Sequence, residues 1–290
     1  MRMTCPACRC ADGHMPGDCR DEYRMYRCPA CGLEFADPMR SSPGDERIAA
    51  LYEGRTNLVG EYLGWYHAAF FASGVAPGRL LDLGCGTGDF VAAARGHGFV
   101  ALGVDQDGAA IAAGRRYHGE IELHEAHIQE FLQRDQQPFD VITLFEVLEH
   151  LEDPGAFLRV VRARLREGGA IALSVPNNDS PLLTAYRRLT RRIDVPPHHL
   201  TRWTKKALSH LLTREGFRVL SWSVLPPTFS DLVLDVCRMR FRVLSLQQRL
   251  RVAAILTRCV RPADRLVRAV AHEGRGMFAL ARREAIRVAG

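Results

Sequence analysis

The sequence predicts an α/β protein built around a doubly wound, mostly parallel sheet, and three observations support this fold class. Short apolar segments that suit buried strands alternate with amphipathic segments that suit helices from residue 78 onward. The segment Leu80–Leu83 runs directly into three alternating glycines, a turn that belongs at the switch point of such a sheet. Phe139–Phe145 is a nearly continuous apolar run with β-branched residues, as expected of a strand buried on both faces.

The glycine turn predicts the kind of ligand that binds there. Gly84, Gly86 and Gly88 let the backbone pass close to a ligand, and Asp82 at the strand end offers an acceptor for a cation or a hydroxyl. A dinucleotide-binding motif would have its third glycine at the position of Asp89, whose carboxylate would repel a phosphate. The ligand is therefore expected to carry a positive centre and a ribose. S-adenosylmethionine fits both requirements.

The segments after the turn continue the alternation of helix and strand. A helix over Phe90–Arg95 precedes a strand over Val100–Val104 that ends at Asp105, and Asp107 is expected to cap the next helix. A weaker third strand over Glu120–His124 follows, and Phe139–Phe145 is the fourth. The later predicted elements are a helix from Asp153 that stops at Gly168 and Gly169, the strand Ala170–Val175, the helix Lys205–Glu215 and the strand Phe217–Ser223.

From residue 78 to 224 the chain resembles class I S-adenosylmethionine-dependent methyltransferases. The resemblance rests on the glycine turn after Asp82 and on Asp105 at the end of the next strand. It implies a Rossmann-like sheet of seven strands, with the last strand, Met277–Arg282, inserted antiparallel between the fifth and sixth. It also implies that Asp105 binds both ribose hydroxyls.

The same resemblance implies a set of cofactor-binding residues. The family contacts adenine near residues 125–128, where many relatives have an aspartate and this chain has Ala126, His127 and Ile128. Contacts there are expected from backbone groups and apolar packing. The full set is Asp82, Gly84, Cys85, Gly86, Gly88, Asp105, Gln106, His127, Ile128 and Phe145.

Candidate catalytic residues follow the fourth strand. Glu146, Glu149 and His150 have the spacing i, i+3 and i+4, so a helix there would place all three on one face at the carboxyl end of the sheet. Three interpretations stay open. His150 could be a general base that deprotonates an acceptor hydroxyl, or the three groups could hold a divalent cation that orients an oxygen-rich acceptor. Alternatively, the Glu-His pair caps and stiffens the loop, because many methyltransferases with different acceptors carry a similar stretch.

A second candidate group lies in a proline-rich loop before the predicted helix Lys205–Glu215. His198 and His199 follow two prolines, and relatives often have a histidine before this helix. The loop is expected to lie over the switch point of the sheet. The two histidines are therefore candidates for contact with the methyl acceptor, although a histidine in a loop can also be solvated or bonded to the backbone.

The amino-terminal segment carries a metal-binding pattern. Two Cys-x2-Cys pairs, Cys5 with Cys8 and Cys28 with Cys31, predict a zinc ribbon over residues 1–38. Four thiolates fill the coordination of a tetrahedral ion, so the zinc would be structural. Cys10 and Cys19 are spare, and disulfide pairing is the alternative. Nine cysteines with this spacing and no signal peptide favour a cytoplasmic location.

Residues 39–77 are predicted to form a polar linker and a helical lid over the cofactor. Four aromatic residues in the lid could stack on an acceptor, although such residues are more often core packing. They are Tyr52, Tyr62, Trp65 and Tyr66. The methyltransferase domain is then expected to cover residues 78–290.

Positive charge is concentrated near the carboxyl terminus. The formal net charge is +6, and residues 225–275 hold ten arginines against four acidic residues. This insertion before the last strand is predicted to form basic amphipathic helices that contact an anionic membrane surface, or to form a cap or a homodimer interface. Nucleic acid is less favoured because no aromatic residues interleave the basic ones.

The function expected from the resemblance is methyl transfer from S-adenosylmethionine to a small-molecule acceptor. Zinc-ribbon methyltransferases of bacteria include enzymes that act on sugars or other cell-surface precursors, so the acceptor is expected in that class. Methyl transfer to RNA is one alternative. The other is a scaffold protein that binds the cofactor without catalysis.

Overall fold

The computed structural model describes residues 3–41, 59–60, 63–134, 137–181, 183–184, 194–225, 255, 264 and 274–285. The strands are β1 (Met15–Arg20), β2 (Tyr23–Arg27), β3 (Glu34–Asp37), β4 (Arg79–Leu83), β5 (Val100–Asp105), β6 (Glu122–Glu125), β7 (Phe139–Phe145), β8 (Leu165–Pro176), β9 (Thr201–Arg202), β10 (Phe217–Val224) and β11 (Gly276–Arg283). The helices are α1 (Trp65–Ala72), α2 (Asp89–Gly96), α3 (Gly108–His118), α4 (Ile128–Arg134), α5 (Pro154–Arg164) and α6 (Lys205–Arg214). A 3-10 turn covers Leu148–His150.

Seven strands form the central sheet in the order β10-β11-β8-β7-β4-β5-β6. The pairs among β4 to β8 are parallel, and β11 lies antiparallel between β8 and β10. The predicted Rossmann-like fold and the position of its last strand are confirmed. Because the chain winds from β4 to β6 in one direction and then crosses to β7, the switch point lies between β4 and β7.

The central strands are buried because helices cover both faces of the sheet. Leu80, Leu81 and Leu83 of β4 have no exposed surface, and the apolar residues of β7 are buried equally well. A strand with no solvent-facing side must be apolar at nearly every position, which is the pattern that the sequence shows. Asp82 and Thr143 are the buried polar residues of these two strands, and they pair side by side across β4 and β7.

Two predicted helices differ in the structure. The helix after Asp153 ends at Arg164, not at Gly168 and Gly169, because Leu165 is buried and already pairs with Phe139 as the first residue of β8. The expected helix at Glu146 does not start there: the Glu146 N–H donates to the Ser174 carbonyl and continues the pairing with β8. Glu146 has a positive φ of 56°, which neither a strand nor a right-handed helix allows, so β7 ends at Phe145.

A second, smaller sheet lies at the amino terminus. Its order is β1-β2-β3-β9. The fourth strand, β9, belongs to the main domain and follows the loop that carries His198 and His199, called the histidine loop below. Glu34 pairs with Arg202, and Phe35 pairs with Thr201. The segment 3–38, called the ribbon below, is thus joined to the main domain by strand pairing.

Other predicted segments lie partly outside the described residues. Of the lid, α1 is described, whereas Tyr52 and Tyr62 are not among the described residues. Of the arginine-rich insertion, the structure describes only the two ends and residues 255 and 264. Within the described part of the chain, no helix is long and apolar enough to cross a membrane.

Candidate functional site

The glycine turn after β4 has the backbone geometry of a close ligand contact. Gly84, Gly86 and Gly88 all have positive φ, a conformation that other residues rarely adopt. A Cβ atom on Gly84 would clash with Val147, and one on Gly88 would clash with Leu123. A Cβ atom on Gly86 would meet nothing within 4 Å. The backbone at Gly86 therefore borders open space.

Asp82 is almost fully buried at the base of this turn. Its carboxylate accepts a hydrogen bond from the Thr143 hydroxyl at 2.6 Å. Burial raises the pKa of Asp82 to about 7; the bond from Thr143 opposes this rise and the nearby Asp105 carboxylate adds to it. A ligand with a positive charge would stabilise the ionised form of this carboxylate.

Asp105 stands at the end of β5, beside the turn. One carboxylate oxygen accepts from the Gly86 N–H at 2.8 Å and the other from the Asp107 N–H at 2.9 Å. Burial raises the pKa of this carboxyl group, and the two backbone bonds oppose that rise. Each carboxylate oxygen has a second lone pair, so Asp105 can still accept from two hydroxyl groups. Asp107 caps α3 as predicted, since it accepts from Ala109 and Ala110.

Asp89, which stands where a dinucleotide-binding motif has its third glycine, has partners inside the protein. It accepts from the His118 ring at 2.6 Å and from the Gly60 N–H at 2.8 Å. It lies in the first turn of α2, where a carboxylate is favourable to the helix dipole. The Asp89 carboxylate, whose charge would repel a phosphate, is thus hydrogen-bonded to a histidine ring and a backbone amide.

The other predicted cofactor residues surround the same edge of the sheet. The Ala126 N–H donates to the Asp105 carbonyl, which brings residues 126–128 next to the end of β5. Gln106 and His127 are exposed, and Ile128 is half-buried. Burial raises the pKa of the Cys85 thiol well above its usual range, which disfavours the thiolate form.

Phe145 belongs to an aromatic cluster beneath α1. Its ring stacks on Tyr66 at 5.2 Å and meets Phe90 edge-on at 5.0 Å. Tyr66 is buried and Trp65 half-buried, so the two described aromatic residues of the predicted lid act mainly in core packing.

The predicted catalytic residues do not share a helix face, but the histidines among them lie together. His150, in the 3-10 turn after β7, is within 4.7 Å of the His198 and His199 rings, centroid to centroid. Glu149 is fully buried, and its Oε1 lies 4.0 Å from His150 Nε2. Glu146 points to β8, where it accepts from the Ser174 hydroxyl at 2.7 Å. Below, the histidine cluster means His150, His198 and His199.

Sequence reasoning missed the residues that hold the histidine cluster. Asp194 accepts from His199 Nδ1 at 2.8 Å, and Arg202 donates to the Asp194 carbonyl through Nε and Nη2. The third guanidinium nitrogen, Nη1, reaches Glu34 Oε2 of the ribbon at 2.9 Å. An acid five residues before His199 is a local signal for Asp194. The bond to Glu34 has no local signal, because 168 positions separate the two residues.

The four ribbon cysteines converge on one point. Cys5 Sγ lies 3.6 Å from Cys31 Sγ, and Cys8 Sγ lies 3.5 Å from Cys28 Sγ. All four sulfur atoms lie within 4.8 Å of one another. Four ligands on a tetrahedral zinc with bonds of about 2.3 Å stand about 3.8 Å apart, so the cluster has nearly the required size.

Comparison with known proteins agrees with this architecture. A family model described as methyltransferase domain matches residues 58–221, which is more than half of the chain. The ubiquinone biosynthesis O-methyltransferase of Acinetobacter baumannii (strain AYE) is 29% identical over 113 residues, covering 37% of this chain and 48% of that protein. Its namesake from Histophilus somni (strain 2336) is 32% identical over 114 residues, with the same two coverages. The chain therefore spans about half the length of the curated relatives it matches.

A solved structure shows the fold independently. A SAM-dependent methyltransferase from Archaeoglobus fulgidus superposes with a TM-score of 0.55 at 16% identity, covering 81% of this chain and 99% of that one. At this identity the likeness concerns the fold alone. The match of the family model over residues 58–221 shows that the chain belongs to the methyltransferase domain family.

Proposed function

We propose that the protein transfers a methyl group from S-adenosylmethionine to a hydroxyl oxygen of a small molecule. One observation carries the proposal. The glycine turn follows β4, Asp105 stands at the end of β5, and His150 of the histidine cluster lies just after β7. These three strands are parallel neighbours, so their carboxyl ends meet at one edge of the sheet. Ligands of open α/β sheets bind at this edge, beside the switch point. The donor and acceptor groups of a transfer reaction would thus meet there.

The cofactor side of the site fits the chemistry of S-adenosylmethionine. Asp82 would face the positive centres, Asp105 would accept from the ribose hydroxyls, and the open space at Gly86 would admit the cofactor. When bound, the cofactor supplies an electrophilic methyl group on a sulfonium sulfur. The residues around it need only fix its orientation, because alignment with the nucleophile contributes a large part of the rate.

The acceptor side supplies nitrogen lone pairs. His150 Nδ1 lies 2.6 Å from the His198 carbonyl, which can only accept, so Nδ1 carries the proton and Nε2 the lone pair. Such a nitrogen can take a proton from a hydroxyl group, or it can bind a cation that acidifies the hydroxyl. Either route favours an acceptor whose nucleophile is an oxygen that must lose a proton.

The names of the curated relatives support the same atom type. They are O-methyltransferases of ubiquinone biosynthesis, and we carry over only the oxygen nucleophile. A sugar or another cell-surface precursor stays the predicted acceptor class. Methyl transfer to RNA and a scaffold role without catalysis are the competing functions, and the two variants below separate catalysis from binding.

The first prediction concerns the cofactor. Replacing Asp105 by alanine removes the acceptor for the ribose, so the affinity for S-adenosylmethionine measured by calorimetry should fall at least about tenfold, as for a lost charged hydrogen bond. Asp153→Ala is a matched control, because the Asp153 carboxylate caps α5 by accepting from the Ala156 N–H. Unchanged affinity in Asp105→Ala would remove the cofactor assignment.

The second prediction concerns catalysis. His150→Ala should lower turnover of a hydroxyl acceptor by about 100-fold or more, while the affinity for S-adenosylmethionine stays the same, because the imidazole acts on the acceptor and not on the donor. His124→Ala, on β6, controls for the loss of a histidine elsewhere. Wild-type turnover in His150→Ala would leave the histidine with a structural role only.

We also propose that the ribbon binds one structural zinc ion through Cys5, Cys8, Cys28 and Cys31. The separation of the sulfur atoms supports this, and so does their burial against the main core. A site with four thiolates has no open position, so the ion would stabilise the ribbon without joining the reaction.

The third prediction follows from this ligand set. Elemental analysis of the reduced protein should find a tightly held zinc ion that is lost in Cys28→Ser. Cys19→Ser is the control, since Cys19 is exposed on β1 and bonds to Arg24. Full zinc content in Cys28→Ser, or a wild-type protein that holds no zinc, would contradict the ribbon assignment.

Contact of the arginine-rich insertion with an anionic membrane, and a homodimer formed through it, stay predictions from the sequence. Ten arginines among apolar residues support them. A cytoplasmic location, at the inner face of the membrane, is proposed on the same basis together with the cysteine pattern.

A further inference from the structure

We propose that the histidine cluster and Glu149 form a binding site for a divalent first-row transition cation at the edge of the central sheet where β7 ends. This inference deepens the proposed function and rests on it for the identity of the acceptor. The site is distinct from the ribbon cysteines, and it contains no sulfur ligand. It would make the reaction dependent on a metal and would restrict the acceptor to compounds that coordinate it through oxygen.

The first argument is the convergence of ligand atoms. One ring nitrogen from each of His150, His198 and His199 lies within 4.8 Å of the other two. Glu149 Oε1 lies next to this group of three, 4.0 Å from His150 Nε2, and is the candidate for a fourth ligand atom. Ligands on a common ion at about 2.1 Å stand roughly 3.4 Å apart in tetrahedral geometry, so small side-chain adjustments would close the site.

The second argument is the orientation of the imidazole rings. His199 Nδ1 bonds to the buried Asp194 carboxylate, and His150 Nδ1 bonds to the backbone carbonyl of His198. In both rings Nδ1 therefore carries the proton, and Nε2 has the lone pair. Histidines that bind metals are typically held in this way, by a carboxylate or carbonyl on the other ring nitrogen.

The third argument is the state of Glu149. Its side chain is only 1% exposed, and neither carboxylate oxygen has a hydrogen-bond partner among the described residues. A buried carboxylate without partners is costly, and a bound cation would satisfy it. Glu146 and Asp194 add further negative potential at Glu149. Two of these carboxyl groups, Glu149 and Asp194, lie next to imidazoles of the cluster.

The donor set indicates the type of cation. Imidazole nitrogens suit zinc, iron, cobalt and nickel, whereas magnesium and calcium prefer oxygen ligands. A partly exposed His150 leaves one side of the site open to solvent. A hydroxyl group bound there would lose its proton to solvent more readily. Its oxygen would then form the new bond to the methyl carbon, while the bond from that carbon to sulfur breaks and the sulfur keeps the electron pair.

Cobalt alone is the probe for the test. The full-length protein is treated with a chelator until only the ribbon metal remains, and is then titrated with Co²⁺ while heat and visible absorption are recorded. We expect one further equivalent to bind, with ligand-field bands and no thiolate charge-transfer band. Asp194→Asn should weaken this binding by about 10- to 100-fold, the usual effect of losing a carboxylate that orients a histidine ligand.

Variants of the ligands complete the test. His199→Ala and Glu149→Gln should each lose the second equivalent, whereas His97→Ala, a histidine at the end of α2, should keep it. Affinity for S-adenosylmethionine, measured on every variant, identifies those that fail to fold. No cobalt uptake by the wild type, a thiolate band, or wild-type affinity in both ligand variants would overturn the site.

Activity separates this inference from the proposed function. Methyl transfer that continues unchanged in protein stripped of the second ion would overturn the metal site and leave the function standing. Cobalt binding as expected, with no methyl transfer to any hydroxyl compound despite bound S-adenosylmethionine, would overturn the function and leave the site standing.

Discussion

The buried guanidinium group of Arg202 is the interaction on which the acceptor side of the site depends. It is 5% exposed, and it bonds to the Asp194 carbonyl with two nitrogens and to Glu34 of the ribbon with the third. Asp194 in turn bonds to His199. A buried charge is costly unless it is fully paired, so this arrangement fixes three segments of chain relative to one another. The histidine cluster is held at the meeting point of these segments.

This linkage gives the ribbon a role beyond its own stability. Strand β3 of the ribbon pairs with β9, which follows the histidine loop, and the Thr204 hydroxyl donates to the Cys31 carbonyl at 2.8 Å. Arg214 of α6 donates to the carbonyls of Pro6 and Ala7, beside the first cysteine pair. The cysteines also share one apolar core with Trp203 and Leu211. A change that weakens the packing of the ribbon should therefore also destabilise the histidine loop. The glycine turn should be unaffected, because it lies on other elements.

Local patterns in the sequence were sufficient for the parts of the fold that depend on local chemistry. Alternating glycines after an apolar strand, Asp105 at the end of the next strand and a cap at Asp107 each have a cause within a few residues. The site after β7 was predicted less well. The spacing of Glu146, Glu149 and His150 suits a helix, but pairing of Glu146 with Ser174 of β8 prevents one from starting there. Contacts such as Glu34 with Arg202 depend on the folded topology, and no pattern in either segment shows them.

Hydrogen exchange of Arg202→Met, compared with the wild type, tests the coupling of ribbon and site most directly. We expect faster exchange in the variant at three amides of the ribbon and the histidine loop. The Ala36 N–H donates to the Leu200 carbonyl, the His199 N–H to the Val195 carbonyl, and the Leu200 N–H to the Glu149 carbonyl. Exchange within β4 and β5 should stay at the wild-type rate, because those strands pair only within the main sheet. Equal protection of the three amides in both proteins, or a uniform loss of protection across the whole sheet, would contradict the coupling of the ribbon to the site.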